Sequence, residues 1–306
     1  MRTDWWCHAY ASEQRRVHDG RAHGRLVLGG IVMAAVGTVL RRQQRFYANA
    51  AALVEQRVSL RDVTGILPGE LRALAPGGGD VLAFSDSALE LRATIGTAIA
   101  CDTVPGGSGL ALAAASGRRA SLSWFTTAPQ AGDIALVYDG GASDRADDDS
   151  WISRSVAAVA SNPSVCVGSP FTPSDAGAPP LLVRFAIGGV PPSVRPGAFV
   201  RILRRVRYRF YRAGTGDWYL GYSEWSGAGF TVVQPVSGPF AAYSSRGASG
   251  VALRYFDEGG VELVYPGDAA RIARVGIVAR GVARGTLAGT RPVTDSQAVG
   301  IRVRNR

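Results

Sequence analysis

The chain has 306 residues, 46% of them apolar and 19% charged, enough to bury a sizeable core in one large or two small domains. All 34 basic residues are Arg, so a Schiff-base lysine and a Walker-type phosphate loop are both excluded. The formal charge of +10 points either to an anionic partner, nucleic acid or lipid headgroups, or simply to a solvated surface.

Residues 1–25 are polar and basic, with Arg15, Arg16, Arg21 and Arg25 leading into the uncharged run LVLGGIVMAAVGTVL at 26–40. A cationic flank before an apolar run has the form of a signal anchor, its basic end held on the cytoplasmic side. Fifteen residues are fewer than the ~20 that span a bilayer as a straight helix. Arg41, Arg42, Gln43 and Gln44 follow where a cleavable signal would carry small residues, so the run is expected to stay as an anchor. Phe46, Ala50, Leu53, Leu60, Val63, Leu67, Leu71 and Leu74 then recur mostly at threes and fours, with Tyr47, Val54 and Val58 widening the stripe. This spacing predicts one helix, apolar all round at first and one-sided afterwards. Its first part needs lipid or other helices; its second needs one packed partner. Gly29, Gly30, Ala34 and Gly37 are small residues suited to close helix-helix approach, with Gly30 and Ala34 four apart on one face. The pattern weakens at Gly65, Pro68 starts or kinks a last turn, and Gly77-Gly78-Gly79 breaks it.

From Asp80 onward short alternating runs are separated by Gly, Pro, Asp and Ser: DVLAF, ALELRAT, TAIACDT, DIALVYD, WISRSVAAVA, LLVRFAI, FVRILRRVRYRFYR, WYLGYSEW, FTVVQPV, VALRYFD, VELVYP, RIARVGIVAR and QAVGIRVRN. Many strands joined by short turns predict an antiparallel sheet, hence an α+β protein with a long N-terminal helix and a β-rich head. Three segments result: 1–25, leader-like; 26–75, helix and anchor; 76–306, head.

His8, His18 and His23 all precede the apolar run, so the head has no histidine for a nucleophile pair or a metal site. Asp139, Asp144, Asp147, Asp148 and Asp149 form an acidic loop without the order of a calcium loop, and a solvated loop is expected. Nothing in the pattern reads as an active site, and no metal or cofactor is implied. Cys101 and Cys166 are expected to pair if the head is exported, closing a loop of about 65 residues worth ~4 kcal/mol; two buried thiols are the alternative. In the longest strand Arg201, Arg205, Arg207 and Arg209 face opposite to Val200, Ile202, Val206, Tyr208 and Phe210. That stripe, near Tyr211, Trp218 and Tyr219, suits either the backbone of DNA or an ordinary wet face whose Arg stems cover sheet surface.

The apolar run passing into RRQQRFYANAAALVEQRVSLRDV and ILPGELRAL resembles the N-terminal helix of type IV prepilin-like proteins, in particular minor pilins and the large-headed pseudopilins of type II secretion. GPFAAY, GVALRYFDEGGVEL, RIARVGIVARG and the closing RVRNR are similar to their C-terminal pattern. The resemblance implies a helix half embedded in the bacterial inner membrane, a head on the periplasmic side, and assembly into a type IV pilus or pseudopilus. Its implied partners are other pilin or pseudopilin subunits, the inner-membrane assembly platform, the lipid bilayer and a prepilin peptidase. Family members carry a Gly-Phe-Thr-Leu-Val-Glu type motif, cut after the glycine and then methylated. Here Gly24 is followed by Arg25-Leu26-Val27-Leu28, so the motif is degenerate: either 1–25 replaces the true leader, or the subunit is anchored without processing. A membrane-anchored binding module using the Arg stripe is the second expectation, and an anchored hydrolase working with Asp and Glu alone the third.

Overall fold

The computed structural model of the protein describes residues 5–114, 123–143, 145–172, 177–245, 248–282 and 294–303, with side chains from Val27 onward. The fold is α+β: one helix, α1 (Trp5–Ala73), followed by an antiparallel sheet. The strands are β1 (Val81–Phe84), β2 (Ala88–Thr103), β3 (Gly109–Leu112), β4 (Ser123–Phe125), β5 (Ile134–Asp139), β6 (Ser150–Ser161), β7 (Leu181–Phe185), β8 (Phe199–Arg212), β9 (Trp218–Glu224), β10 (Gln234–Phe240), β11 (Val251–Phe256), β12 (Glu262–Leu263), β13 (Arg274–Val282) and β14 (Thr294–Arg302).

Two compact units divide the chain: Met1–Glu55 with Ala283–Val293, and Gln56–Val282 with Thr294–Arg306. The helix begins at Trp5, well ahead of the apolar run, and passes through Pro68 without ending. The unit boundary falls inside the helix, at Gln56, rather than after it. The reason is burial. Leu60, Val63, Leu67, Leu71 and Leu74 form the one-sided face expected of the second half and lie in a core with β2, β8, β11 and β13. Of the earlier members, Phe46, Tyr47 and Val54 are each more than 60% exposed, while Ala50 and Leu53 are half-buried.

Two cores share the long strands β2 and β8. The order β2-β3-β7-β6-β5-β8, with β8 pairing back to β2, closes a six-stranded barrel filled by Ala98, Ala100, Leu110, Leu112, Val137, Val183, Val200 and Ile202. Beyond the barrel the same strands continue into an open sheet, with β9, β10, β13 and β11, against which the C-terminal part of α1 packs. On β8 the even-numbered face serves both: Val200 and Ile202 point into the barrel, and Val206, Tyr208 and Phe210 toward the helix. On β2 a bulge between Thr94 and Gly96 changes the parity, so that Leu89, Leu91 and Ala93 face the helix while Ala98 and Ala100 face the barrel.

Close approach of α1 to the sheet requires small groups. The Ser59 hydroxyl donates to the Gly238 carbonyl at 2.8 Å and Ser237 donates back to the Ser59 carbonyl at 2.7 Å. A Cβ on Gly281 would come within 2.5 Å of the Gln56 side chain, so only glycine fits that position without a shift. Where the two cores meet, Arg204 occupies an inward position between Ile202 and Val206. It donates to Asp133 Oδ1 and Oδ2 at 2.8 Å each, to Glu224 at 2.9 Å, to Thr127 at 3.1 Å and to the Ala128 carbonyl at 2.9 Å, which satisfies all five guanidinium donors. The Asp133 hydrogen bonds push its pKa up against the effect of burial.

Two predictions follow from this packing. Asp133→Ala leaves Arg204 buried without its main counter-charge and should destabilise the head by about 3–5 kcal/mol in urea titrations of the full chain. Burial raises the carboxyl pKa of Glu70, on the docked part of α1, above its ordinary 4.5, and a hydrogen bond from Tyr208 only partly opposes this. The native carboxyl therefore holds its proton to higher pH than the unfolded one. Stability is fully present below the unfolded pKa and declines as pH rises through the raised native value. Glu70→Gln, which keeps an acceptor for Tyr208, should flatten that decline and raise the neutral-pH urea midpoint.

Candidate functional site

The chemistry-bearing residues fall on three surfaces. The first is the apolar run on α1. Val27, Leu28, Ile31, Val32, Met33, Val36, Val39 and Leu40 are all about half exposed or more, and they lie all round the helix circumference. A Cβ added at Gly29, Gly30 or Gly37 would meet nothing within 4 Å. Nothing among the described residues therefore demands small residues there, and Ala34 is likewise exposed. Two polar bonds there are intrahelical: Thr38 donates to the Ala34 carbonyl at 2.7 Å and Arg41 to the Gly37 carbonyl at 3.2 Å. Gly24 lies inside the helical backbone. No helix among the described residues is long and apolar enough to cross a membrane.

The second surface is the outer face of β8. As the alternation predicts, Arg201, Arg205, Arg207 and Arg209 point outward, opposite Val200, Ile202, Val206, Tyr208 and Phe210. They are not a free cationic row. Glu90, nearly buried on β2, pairs with both Arg205 and Arg207, and Arg201 donates to the Thr94 hydroxyl at 2.8 Å. Arg205 lies 4.5 Å from the centroid of Trp225, Arg207 lies 3.8 Å from that of Phe230, and Arg209 is 5.8 Å from Tyr211. Trp218 and Tyr219 do not both join this face, for Trp218 packs at 5.1 Å on Phe210 against the helix-side core. Arg204 belongs to neither side of the expected stripe, although its even position among apolar neighbours marks it as inward. Glu90, Asp133, Glu224 and Trp225 come to β8 from distant segments, and no sequence spacing links them to it.

The third is the cysteine pair. The structure joins Cys101, on β2, to Cys166, in the loop between β6 and β7, with a Cα–Cα distance of 5.3 Å inside the usual disulfide range. Both are buried beside Ala111 and Ala113. Cys166 has φ 64°, a left-handed backbone that L-residues adopt at a cost. In the acidic loop Asp148 accepts from the Ala142 and Ser143 amides at 3.0 and 2.9 Å, which lowers its pKa and braces the turn; Asp144 lies outside the described residues.

No family model matches the chain, and no curated protein or solved structure matches it.

The disulfide closes a loop with a sequence separation of 65. Replacing both cysteines by Ser should lower head stability by about 4 kcal/mol in urea titrations. Alkylation of unfolded, unreduced chain should label Cys7 alone.

Proposed function

We propose that the protein is a structural subunit of a pilus-like or pseudopilus-like filament and assembles through the N-terminal part of α1. One observation carries this reading: a single helix divides at Gln56 into a part packed in the head's core and a part whose large apolar side chains, from Val27 to Leu40, are about half exposed or more among the described residues. Exposed apolar surface running all round a helix is unfavourable in water, and it is relieved by lipid or by copies of the same helix. Before assembly the 26–40 run would rest in the bilayer. Its shortness would be accommodated by local thinning and by Arg41 and Arg42 reaching for the interface. In the filament, neighbouring helices would replace lipid, and Gly30, Ala34 and Gly37 would let backbones come close. The DNA reading of the β8 stripe has less behind it, since Glu90 already engages two of the four arginines.

Gly30→Leu and Ala34→Leu distinguish a seam from a plain anchor, because a lone anchor gains apolar surface whereas a packed seam is crowded. Both variants should keep membrane association and head folding while losing most self-association, read as copurification of an untagged copy with a tagged one. Unchanged copurification would contradict the assembly role.

A further inference from the structure

Above the outer face of β2 and β8 is a cleft of about 540 Å³ whose walls include Leu82, Ile134, Glu90, Arg92, Arg205 and Trp225. Its charge arrangement is unusual. Arg92 on β2 stands directly opposite Arg205 on β8 in the antiparallel register, on the same face. Like charges directly opposite one another destabilise a sheet, and the guanidinium of Arg92 reaches toward Gly79, just ahead of β1. The acid that relieves Arg205, Glu90, is shared with Arg207, which sits opposite it in the next register pair. Arg92 has no ion pair among the described residues, and its buried Nε has no hydrogen-bond partner. Burial raises the pKa of Asp80 and the charges of Arg201 and Arg92 act against it, so Asp80 is the acid nearest Arg92 in effect, yet it makes no ion pair with it, and one carboxylate oxygen accepts from the Ala75 amide at 2.9 Å.

An unpartnered buried guanidinium donor is expensive, and a second guanidinium opposite makes it more so. An oxyanion seated in the cleft offsets the like-charge pair, accepting from the guanidinium of Arg92 on one side and of Arg205 on the other; the Nε of Arg92, closed off from solvent, takes no part in that contact. Planar guanidinium forks match phosphate and carboxylate oxygens in that way. The wall is preformed. Trp225 is held by its amide donating to the Arg205 carbonyl at 2.8 Å, and it bridges to Phe230. Leu82 and Ile134 add apolar surface for the body of a small ligand, the usual composition of such a site.

We propose that this cleft binds a small oxyanionic ligand, a phosphate or carboxylate group held between Arg92 and Arg205. The proposal is independent of the filament reading, because the cleft lies wholly within the head and its outer face is opposite to the one that docks α1.

The test is a thermal titration of the full-length chain at constant ionic strength, with inorganic phosphate in one arm and benzoate in the other, against chloride. A saturable rise in Tm with phosphate assigns a phosphate group to the site, and one with benzoate alone assigns a carboxylate carrying an apolar body. Arg92→Gln should weaken either response by about tenfold or more, the size of a charge-assisted contact. The same change should leave the ligand-free protein as stable as wild type or more so, because it removes the like-charge pair; a merely structural Arg92 would lower it. Arg209→Gln, outside the cleft, should respond as wild type. Absence of a saturable rise with both anions, or an Arg92→Gln titration equal to wild type, overturns the proposal.

Discussion

The head depends on one constraint: the inner face of β8 has to serve two cores in succession. Val200 and Ile202 fill the barrel and Val206, Tyr208 and Phe210 receive the helix, with Arg204 between them. A charge at that position is tolerable only because five acceptors surround it, two of them on the buried Asp133 carboxylate. Asp133 precedes β5 and Glu224 ends β9, so the ion cluster ties a barrel segment to an open-sheet segment through one side chain. From Glu224 the network extends to the Tyr222 hydroxyl at 3.0 Å, and Tyr222 packs on Tyr208, which bonds Glu70 of the helix. Barrel closure, sheet and helix docking thus meet along a polar line inside otherwise apolar surroundings.

That arrangement gives the helix its two characters. From Gln56 onward α1 is part of a core, fastened by leucines, by the Ser59–Ser237 exchange and by the space left at Gly281. Between Val27 and Val54 the helix keeps its backbone bonds while most of its large apolar side chains, among them Ile31, Met33, Phe46 and Val54, are exposed. The filament reading proposed above uses both parts: a head that is stable by itself, and an apolar helix that exchanges lipid for copies of itself. The cleft over Arg92 and Arg205 is a separate feature of the opposite face, and it bears on what the head recognises rather than on how the chain assembles.

Much of this fold was legible because side-chain period reports local structure. Leu60, Val63, Leu67 and Leu71 announced the docked face, and the odd-even contrast along β8 placed its arginines outside. The misses have physical causes. β3 is four residues buried on both faces, so Gly109–Leu112 shows no alternation and reads as a glycine-rich turn. ALELRAT and TAIACDT look like two strands because the bulge between Thr94 and Gly96 interrupts the period of a single β2. The strand expected at FTVVQPV starts later, at Gln234, since Val232 is 87% exposed and only Phe230 makes a bridge. Barrel closure by β2 on β8, and the pairing of Arg204 with Asp133, join residues far apart in sequence, and no local pattern encodes them. The helical backbone over residues 5–25 was not legible, because that stretch is polar and basic and carries no apolar period.

The central proposal is that copies of the chain meet through the N-terminal part of α1 rather than through the head. Its most direct measurement is oxidative cross-linking in intact cells of a Cys7→Ser chain carrying one new cysteine, at Val36 on the helix or at Val261 on the head. The account predicts intermolecular disulfide products from the Val36 position and none from Val261. Monomer alone at Val36, or equal products at both positions, would contradict it.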